Sequence, residues 1–224
     1  MLLRGLDASF ARGLRIGGGL AASAFVLAVT FGGYSQVHGW GPVAPVVASL
    51  VVFSASAQFT LAAALIGGGG AASAVLAATL VQLRFLPMAL AAGPSLHGGR
   101  MQRALEAQAV NDGSWVSAHL GEGRFDRGVL FGATLAQWPA WVAGTALGVL
   151  VAPPPDLVDT LGLDVVFPAF FLLLLLDEAR RSAIARAVAC GGAAVAAVAL
   201  LWAPAGPALI AGGLVALVGL RRRA

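Results

Sequence analysis

Between Ile16 and Leu83 the chain carries no Asp, Glu, Lys or Arg. A membrane-crossing helix needs about 20 apolar residues, so this run holds room for about three. Breaks fall where glycine and proline gather, at Gly32-Gly33-Tyr34 through Gly41-Pro42 and at Gly67-Gly68-Gly69-Gly70. The pattern predicts apolar segments at 16–34, 43–66 and 71–93. Residues 94–127 turn polar, with Arg100, Arg103, Glu106, Asp112, Glu122, Arg124, Asp126 and Arg127. Within them, Met101 to Leu120 reads as a short interfacial helix of loose periodicity. Gly128 to Pro155 is again free of formal charge and is closed by Pro153-Pro154-Pro155, which cannot continue a helix. A fifth segment, 161–176, is short for a full crossing. The charge-free run from Ala187 to Leu220 is split by Pro204-Ala205-Gly206-Pro207 into two helices, the first starting near Ala183. Arg221-Arg222-Arg223 anchors the end.

Helices satisfy their own backbone groups in lipid, and the alternation of a membrane barrel is absent. The expected fold is therefore all-α: a polytopic helical membrane protein of six to seven apolar segments, with broken or re-entrant helices, forming one transmembrane domain over 1–224. Arg4, Arg12 and Arg15 precede the apolar stretch Leu20–Phe31 without a small-x-small cleavage site after it, so the first segment is expected to be a retained span. Two halves, 16–93 and 128–220, linked by 94–127, hint at an internal repeat. In 24–93 the order is span, Gly-rich turn, polar-interrupted segment, span; in 140–203 it is span, Pro-rich turn, Phe167-Pro168 segment, span. Three-segment halves suggest inversion. The positive-inside rule places the N-terminus, 94–127, 178–186 and the C-terminus in the cytoplasm, and Asp156, Asp159 and Asp164 outside. Seven simple crossings cannot satisfy that set. The parity closes if the second segment enters and leaves by one face, which conflicts with inversion, and the sequence leaves the two open.

Composition agrees with a lipid setting. Hydrophobic residues make up 59% and charged residues 11% of the 224, with a mean hydropathy of +0.88; a soluble domain carries about 25% charge. The net charge is +4 and every basic residue other than His is Arg. Those arginines fall in short stretches between segments, as flanks of spans rather than as a nucleic-acid-binding face. The partners implied are a lipid bilayer and no nucleic acid. Cys190, the single cysteine, sits in an apolar run as a packing residue and forms no internal disulfide. His38, His97 and His119 are scattered, no Gly-Lys-Ser/Thr follows the Gly runs, and H-E-x-x-H is absent. Gly93-Pro94-Ser95-Leu96-His97 is a poor setting for a nucleophile. No metal, cofactor or enzymatic activity is expected.

The chemistry that remains is polar residues inside apolar runs. Phe53-Ser54-Ala55-Ser56-Ala57-Gln58-Phe59 sets hydroxyls and an amide in a charge-free stretch. Ser can bond a preceding carbonyl and loosen a helix. An opened backbone there offers donors and acceptors at mid-membrane, and a half-helix N-terminus favours a carboxylate. Small-residue helix packing is the other reading. Arg84 follows Gln82 within an apolar segment. A central Arg costs about 2.5–3.5 kcal/mol on insertion scales, so it faces protein or water and pairs with a substrate carboxylate, or it snorkels to head groups from a segment end. Asp112 is read as a coupling acid, with binding of an amino group and a solvated loop position as alternatives. Asp177 and Glu178 read as interfacial charges, and Phe167-Pro168 as a kink in a site helix or a first helical turn. The candidate substrate contacts are thus Ser54, Ser56, Gln58, Arg84, Phe167 and Pro168.

These residues resemble those of the AzlC-type family, the large subunit of two-component branched-chain amino acid exporters. Ser54-Ala55-Ser56-Ala57-Gln58-Phe59 is similar to that family's Gly/Ala-Ser-Ala-Gln-Phe motif. Gln82-Leu83-Arg84-Phe85 keeps the Arg of its Asn-Leu-Arg-His motif, and Asn111-Asp112-Gly113 keeps only the Asp of its Thr-Asp-Glu motif. Trp141-Val142-Ala143-Gly144-Thr145-Ala146-Leu147-Gly148 and Phe167-Pro168-Ala169-Phe170-Phe171 resemble two further patterns. The similarity covers residues 14–220 in order and spacing. It implies proton-driven export of Val, Leu, Ile and, further out, Met across the bacterial inner membrane. It also implies a small hydrophobic AzlD-type membrane subunit as partner. A non-transporting subunit that packs a partner is the alternative function.

Overall fold

The computed structural model describes residues 2–152, 169, 172–173, 175–176, 179–180, 183–204, 207–208 and 210–215. Their regular structure is almost entirely helical: α1 (Leu2–Val37), α2 (Val43–Val51), α3 (Ala55–Ile66), α4 (Gly70–Gln82), α5 (Phe85–Ala92), α6 (Arg100–Glu106), α7 (Asp112–Ala118), α8 (Arg127–Val151) and α9 (Ala183–Ala199). One small antiparallel hairpin pairs β1 (His119–Gly121) with β2 (Arg124–Phe125). Ala8–Val37, Gly70–Ser95 and Arg127–Val151 are long and apolar enough to cross a membrane, and α3 and α9 are shorter apolar helices. Residues 161–168 of the fifth expected segment, with Phe167 and Pro168, lie outside the described residues. The chain divides into two compact units, Met1–Ala55 with Leu83–Ala152 and Ser56–Gln82 with Pro153–Ala224.

The first unit is built on a seam between α1 and α8. α1 begins fourteen residues before the expected 16–34 segment and runs for 36 residues. It contains no proline, and its first turns are rich in Leu, Ala and Arg, so helix runs past Arg12 and Arg15 out of the apolar zone and, despite Gly32-Gly33, on to Val37. Gly13 lies against Val129, Gly17 against Ala133, Ala28 against Gly144, and Gly32 against Thr145 and Val149. Numbers rise together on both helices, so α1 and α8 run parallel. A methyl group added at Gly32, Gly144 or Gly148 would collide with a backbone carbonyl of the facing helix. Small residues let two backbones approach this closely, and close packing is what holds helices together in lipid. The ends nearest Arg127 are pinned by Asp126. It caps α8 by accepting from the Val129 amide at 3.1 Å, and it also accepts from the Ser9 hydroxyl at 2.9 Å and from Arg12.

α2 packs on the same helix further along. The hydroxyls of Ser49 and Thr145 share a buried hydrogen bond of 2.8 Å, and the Trp138 indole donates to the Ser49 carbonyl at 3.4 Å. Phe31 stacks on Trp141 and meets Trp40 edge-on.

The polar stretch between α5 and α8 is a folded cap with its own core of Ala92, Leu96, Val110, Phe125, Val129 and Leu130. The single helix expected over Met101–Leu120 is instead α6, a 3₁₀ turn (Ala107–Ala109), α7 and the hairpin. The interruption has a local cause. Asn111 is extended and starts a new helix: its side chain accepts from the Ser114 amide at 2.9 Å, while the Ser114 hydroxyl accepts from the Asn111 amide at 3.0 Å. This reciprocal capping favours a fresh N-terminus over continuation.

In the second unit, α3 and α4 are joined by the glycine run, in which Gly68 and Gly70 adopt positive φ of 76° and 68°, a conformation that L side chains resist. Gly192 of α9 lies against the carbonyl of Gly212.

Candidate substrate-binding site

Two helix interruptions carry the polar residues singled out in the sequence. The first separates α2 from α3. α2 ends at Val51, Val52 leaves the helical region at φ −111° and ψ 89°, and the Ser54 amide bonds back to the Val52 carbonyl at 2.9 Å. Helix resumes at Ala55. With 9 and 12 residues, α2 and α3 are about 14 and 18 Å long, each short of the roughly 30 Å hydrocarbon core. Ser54, Ser56 and Gln58 are all buried. Ser54 belongs to the first unit, whereas Ser56 and Gln58 lie in the first turn of α3 in the second.

The second interruption departs from the uninterrupted segment expected over 71–93. α4 stops at Gln82, Leu83 and Arg84 form a turn, and α5 starts at Phe85. Pro87 is the cause. It has no N–H to offer the Leu83 carbonyl and its ring crowds that group, so the Leu86 amide takes the carbonyl at 3.1 Å in a tighter turn. Arg84 thus stands at a helix break inside an apolar run of 26 residues.

Arg84 is joined to Asp112. The guanidinium Nη2 donates to the carboxylate Oδ2 at 2.7 Å across 28 residues of sequence, and the Arg84 guanidinium lies over the Phe85 ring at 4.9 Å. None of the expected settings for Asp112, coupling acid, amino-group binder or loop acid, named this partner. Its neighbour Asn111 donates its side-chain amide to the Thr134 hydroxyl at 3.3 Å, and Thr134 donates to the Ala109 carbonyl at 2.6 Å. Gly113 sits against the Gln137 amide and Leu20. Thr134 and Gln137 lie seven and ten residues into α8 from Arg127, a depth of about 10–15 Å along the helix. The first turn of α7 therefore dips well below the charged layer that begins α8. The Trp115 indole, donating to the Met88 carbonyl at 3.1 Å, ties α7 to α5 at the same time.

A stripe on α8 extends the polar surface. Thr134, Gln137, Trp141 and Thr145 recur at helical spacing, the last three buried. Gln137 is 7% exposed and donates to the Ala133 carbonyl. The sequence reading passed over Asn111, Thr134 and Gln137 as site residues. For Thr134 and Gln137 the available signal was three-to-four-residue recurrence, continued by Trp141 and Thr145, within a charge-free span.

The shallower layer is a separate ionic lock. Glu106 is buried and accepts from Arg127 at 2.7 and 3.1 Å, from the His97 amide at 3.1 Å and from Gln102 at 3.4 Å. The hydrogen bond from Arg127 is the largest cause of a carboxyl pKa lowered from 4.5 to about 2, against the opposing effect of burial. Among the described residues, no group of three or more His, Cys, Asp or Glu is placed to hold a metal ion.

The family described as AzlC protein matches residues 19–153, more than half of the chain. The chain belongs to the AzlC family. No curated protein and no solved structure matches it. The stretch matched to AzlC runs from α1 to the proline run after α8, so it includes both interruptions, Arg84 and Asp112. Phe167 and Pro168 lie beyond it. Membership in AzlC makes this a membrane-transport-related chain of a family that works in two-component systems.

Proposed function

We propose that this chain is the large subunit of a secondary transporter that exports branched-chain or similar small apolar amino acids across the bacterial inner membrane, together with a small hydrophobic AzlD-type membrane subunit. One observation carries the reading. An arginine stands at a helix break in an apolar run and pairs with Asp112, whose neighbours Asn111 and Gly113 meet Thr134 and Gln137 at the depth of the third turn of α8. Packing alone does not require a charge there, and an intramembrane ionisable residue is by default a functional one. Discontinuous helices that expose backbone polar groups are the usual construction of transporter sites. In this reading Arg84 takes the substrate carboxylate, and Ser54, Ser56 and Gln58 contact its polar end. Phe167 and Pro168 belong to the same proposal. A cycle of this kind requires a difference in affinity between two facing states.

The alternative, a subunit that only packs a partner, draws on α9, which has no buried residue among those described. Efflux of labelled Val or Leu from membrane vesicles separates the two. Arg84→Ala and Gln58→Ala are each expected to lower transport at least about tenfold, the effect of removing one charge-assisted contact, with normal amounts of protein in the membrane. Transport untouched by both changes would favour the packing role.

A further inference from the structure

Resting on the exporter reading, we infer that the Arg84–Asp112 ion pair is the stand-in for the zwitterionic head of an α-amino acid, so that Asp112 binds the substrate ammonium while Arg84 binds its carboxylate. The pair holds one positive and one negative group 2.7 Å apart. An α-amino acid presents the same two charges on adjacent carbons, so it can part the pair, satisfy each member with its opposite, and leave the net charge of the site unchanged. No uncompensated charge is created at depth, and that is the costly outcome for a single ion. A carboxylate alone would leave Asp112 without an opposite charge from the ligand, and an amine alone would take the Asp112 carboxylate from Arg84 and offer no anion in exchange.

The geometry favours this exchange. The two side chains are 39% and 59% exposed, so they are reachable although the residues flanking Asp112 meet the third turn of α8. The two backbones are held fast while the side chains part. Asp112 follows Asn111, whose capping box and bond to Thr134 fix the start of α7. Trp115 anchors that helix to the Met88 carbonyl of α5, the helix that Arg84 precedes. Selectivity follows because a site with groups built for a polar substrate atom rejects the analogue that lacks it.

The test uses everted membrane vesicles from cells making the full chain together with its small AzlD-type subunit, supplied with labelled leucine, its 2-oxo acid 4-methyl-2-oxopentanoate, or its amine 3-methylbutylamine. Wild type is expected to favour leucine over either analogue by at least about tenfold. Asp112→Asn is expected to erase most of the preference over the oxo acid and to keep the preference over the amine; Arg84→Gln is expected to do the reverse. The exchanged pair, Arg84→Asp with Asp112→Arg, restores both preferences and covers the case in which a single variant fails to accumulate. Single variants that lose all three compounds equally, or that keep both preferences, overturn the inference, as does an exchanged pair that accumulates normally without regaining them. Asp112→Asn vesicles that lose only their response to a pH gradient overturn it in favour of a coupling acid, with the exporter reading intact. Wild-type vesicles that move none of the three compounds overturn the exporter reading itself.

Discussion

Glu106 shows how much one side chain does in the cap. It lies 21 residues from Arg127 in sequence, yet both carboxylate oxygens meet that guanidinium, and the His97 amide and Gln102 complete the set. Glu106→Gln keeps the shape and removes the charge, which is expected to cost about 2 kcal/mol, the scale of a hydrogen bond to a charged group. The pH dependence has a definite sign. A carboxyl held at about 2 in the folded chain against an ordinary 4.5 contributes stability above pH 4.5, and that contribution drains away as pH falls toward 2. Limited proteolysis of the loops around residues 97–99 and 122 in detergent should therefore accelerate across that window in the native chain. In Glu106→Gln it should already be fast at neutral pH and flat through the window; an equally steep acid response in the variant would dismiss the lock. Little of this was legible in the sequence, because a pairing over 21 residues depends on where the cap folds back. Arg84 was legible, since one Arg stands out in a charge-free run, but its bond to Asp112 was not.

At the scale of elements, sequence signals worked where a residue acts on its own backbone. The glycine run at 67–70 separates α3 from α4 where it was read to, and α8 ends at Val151, shortly before the proline run in the sequence. The serine-rich stretch does lie at an opening, though the non-helical residues are Val52–Ser54, ahead of Ser56 and Gln58. Pro87 was equally available as a signal for the break at Leu83–Arg84, but apolarity masked it. The α1–α8 seam was not legible at all, because many glycines in lipid-embedded segments contact nothing and resemble those that do. Gly18 and Gly19 have open space around them, one and two residues from Gly17, which is pressed against Ala133. This contrast is testable. Gly32→Leu and Gly148→Leu should each abolish accumulation of folded protein, whereas Gly18→Ala should be tolerated and, by helix propensity, should stabilise by up to about 1 kcal/mol. Fluorescence-detected gel filtration of detergent extracts reads both, and a monodisperse Gly148→Leu variant would contradict the seam.

For the whole molecule, parallel packing of α1 and α8 limits the topology. If both helices cross the membrane they start on one side of it, and the chain between Val37 and Arg127 then makes an odd number of net crossings. That stretch holds one run long enough to cross, Gly70–Ser95, and the interrupted pair α2 and α3. The parity is satisfied if α2 and α3 together make no net crossing, the re-entrant behaviour expected of that segment from its neighbours' charges. Two halves related by an axis along the membrane normal would also place their opening helices parallel, and inverted halves would not. The check is sidedness. In a Cys190→Ser background, cysteines at Ala8 and at Leu120 should both react with an impermeant thiol reagent from the cytoplasmic face alone, and labelling from opposite faces would refute the arrangement. The seam has a mechanical meaning as well. Rods meshed tooth into tooth have no play for sliding, so α1 and α8 travel as a single beam.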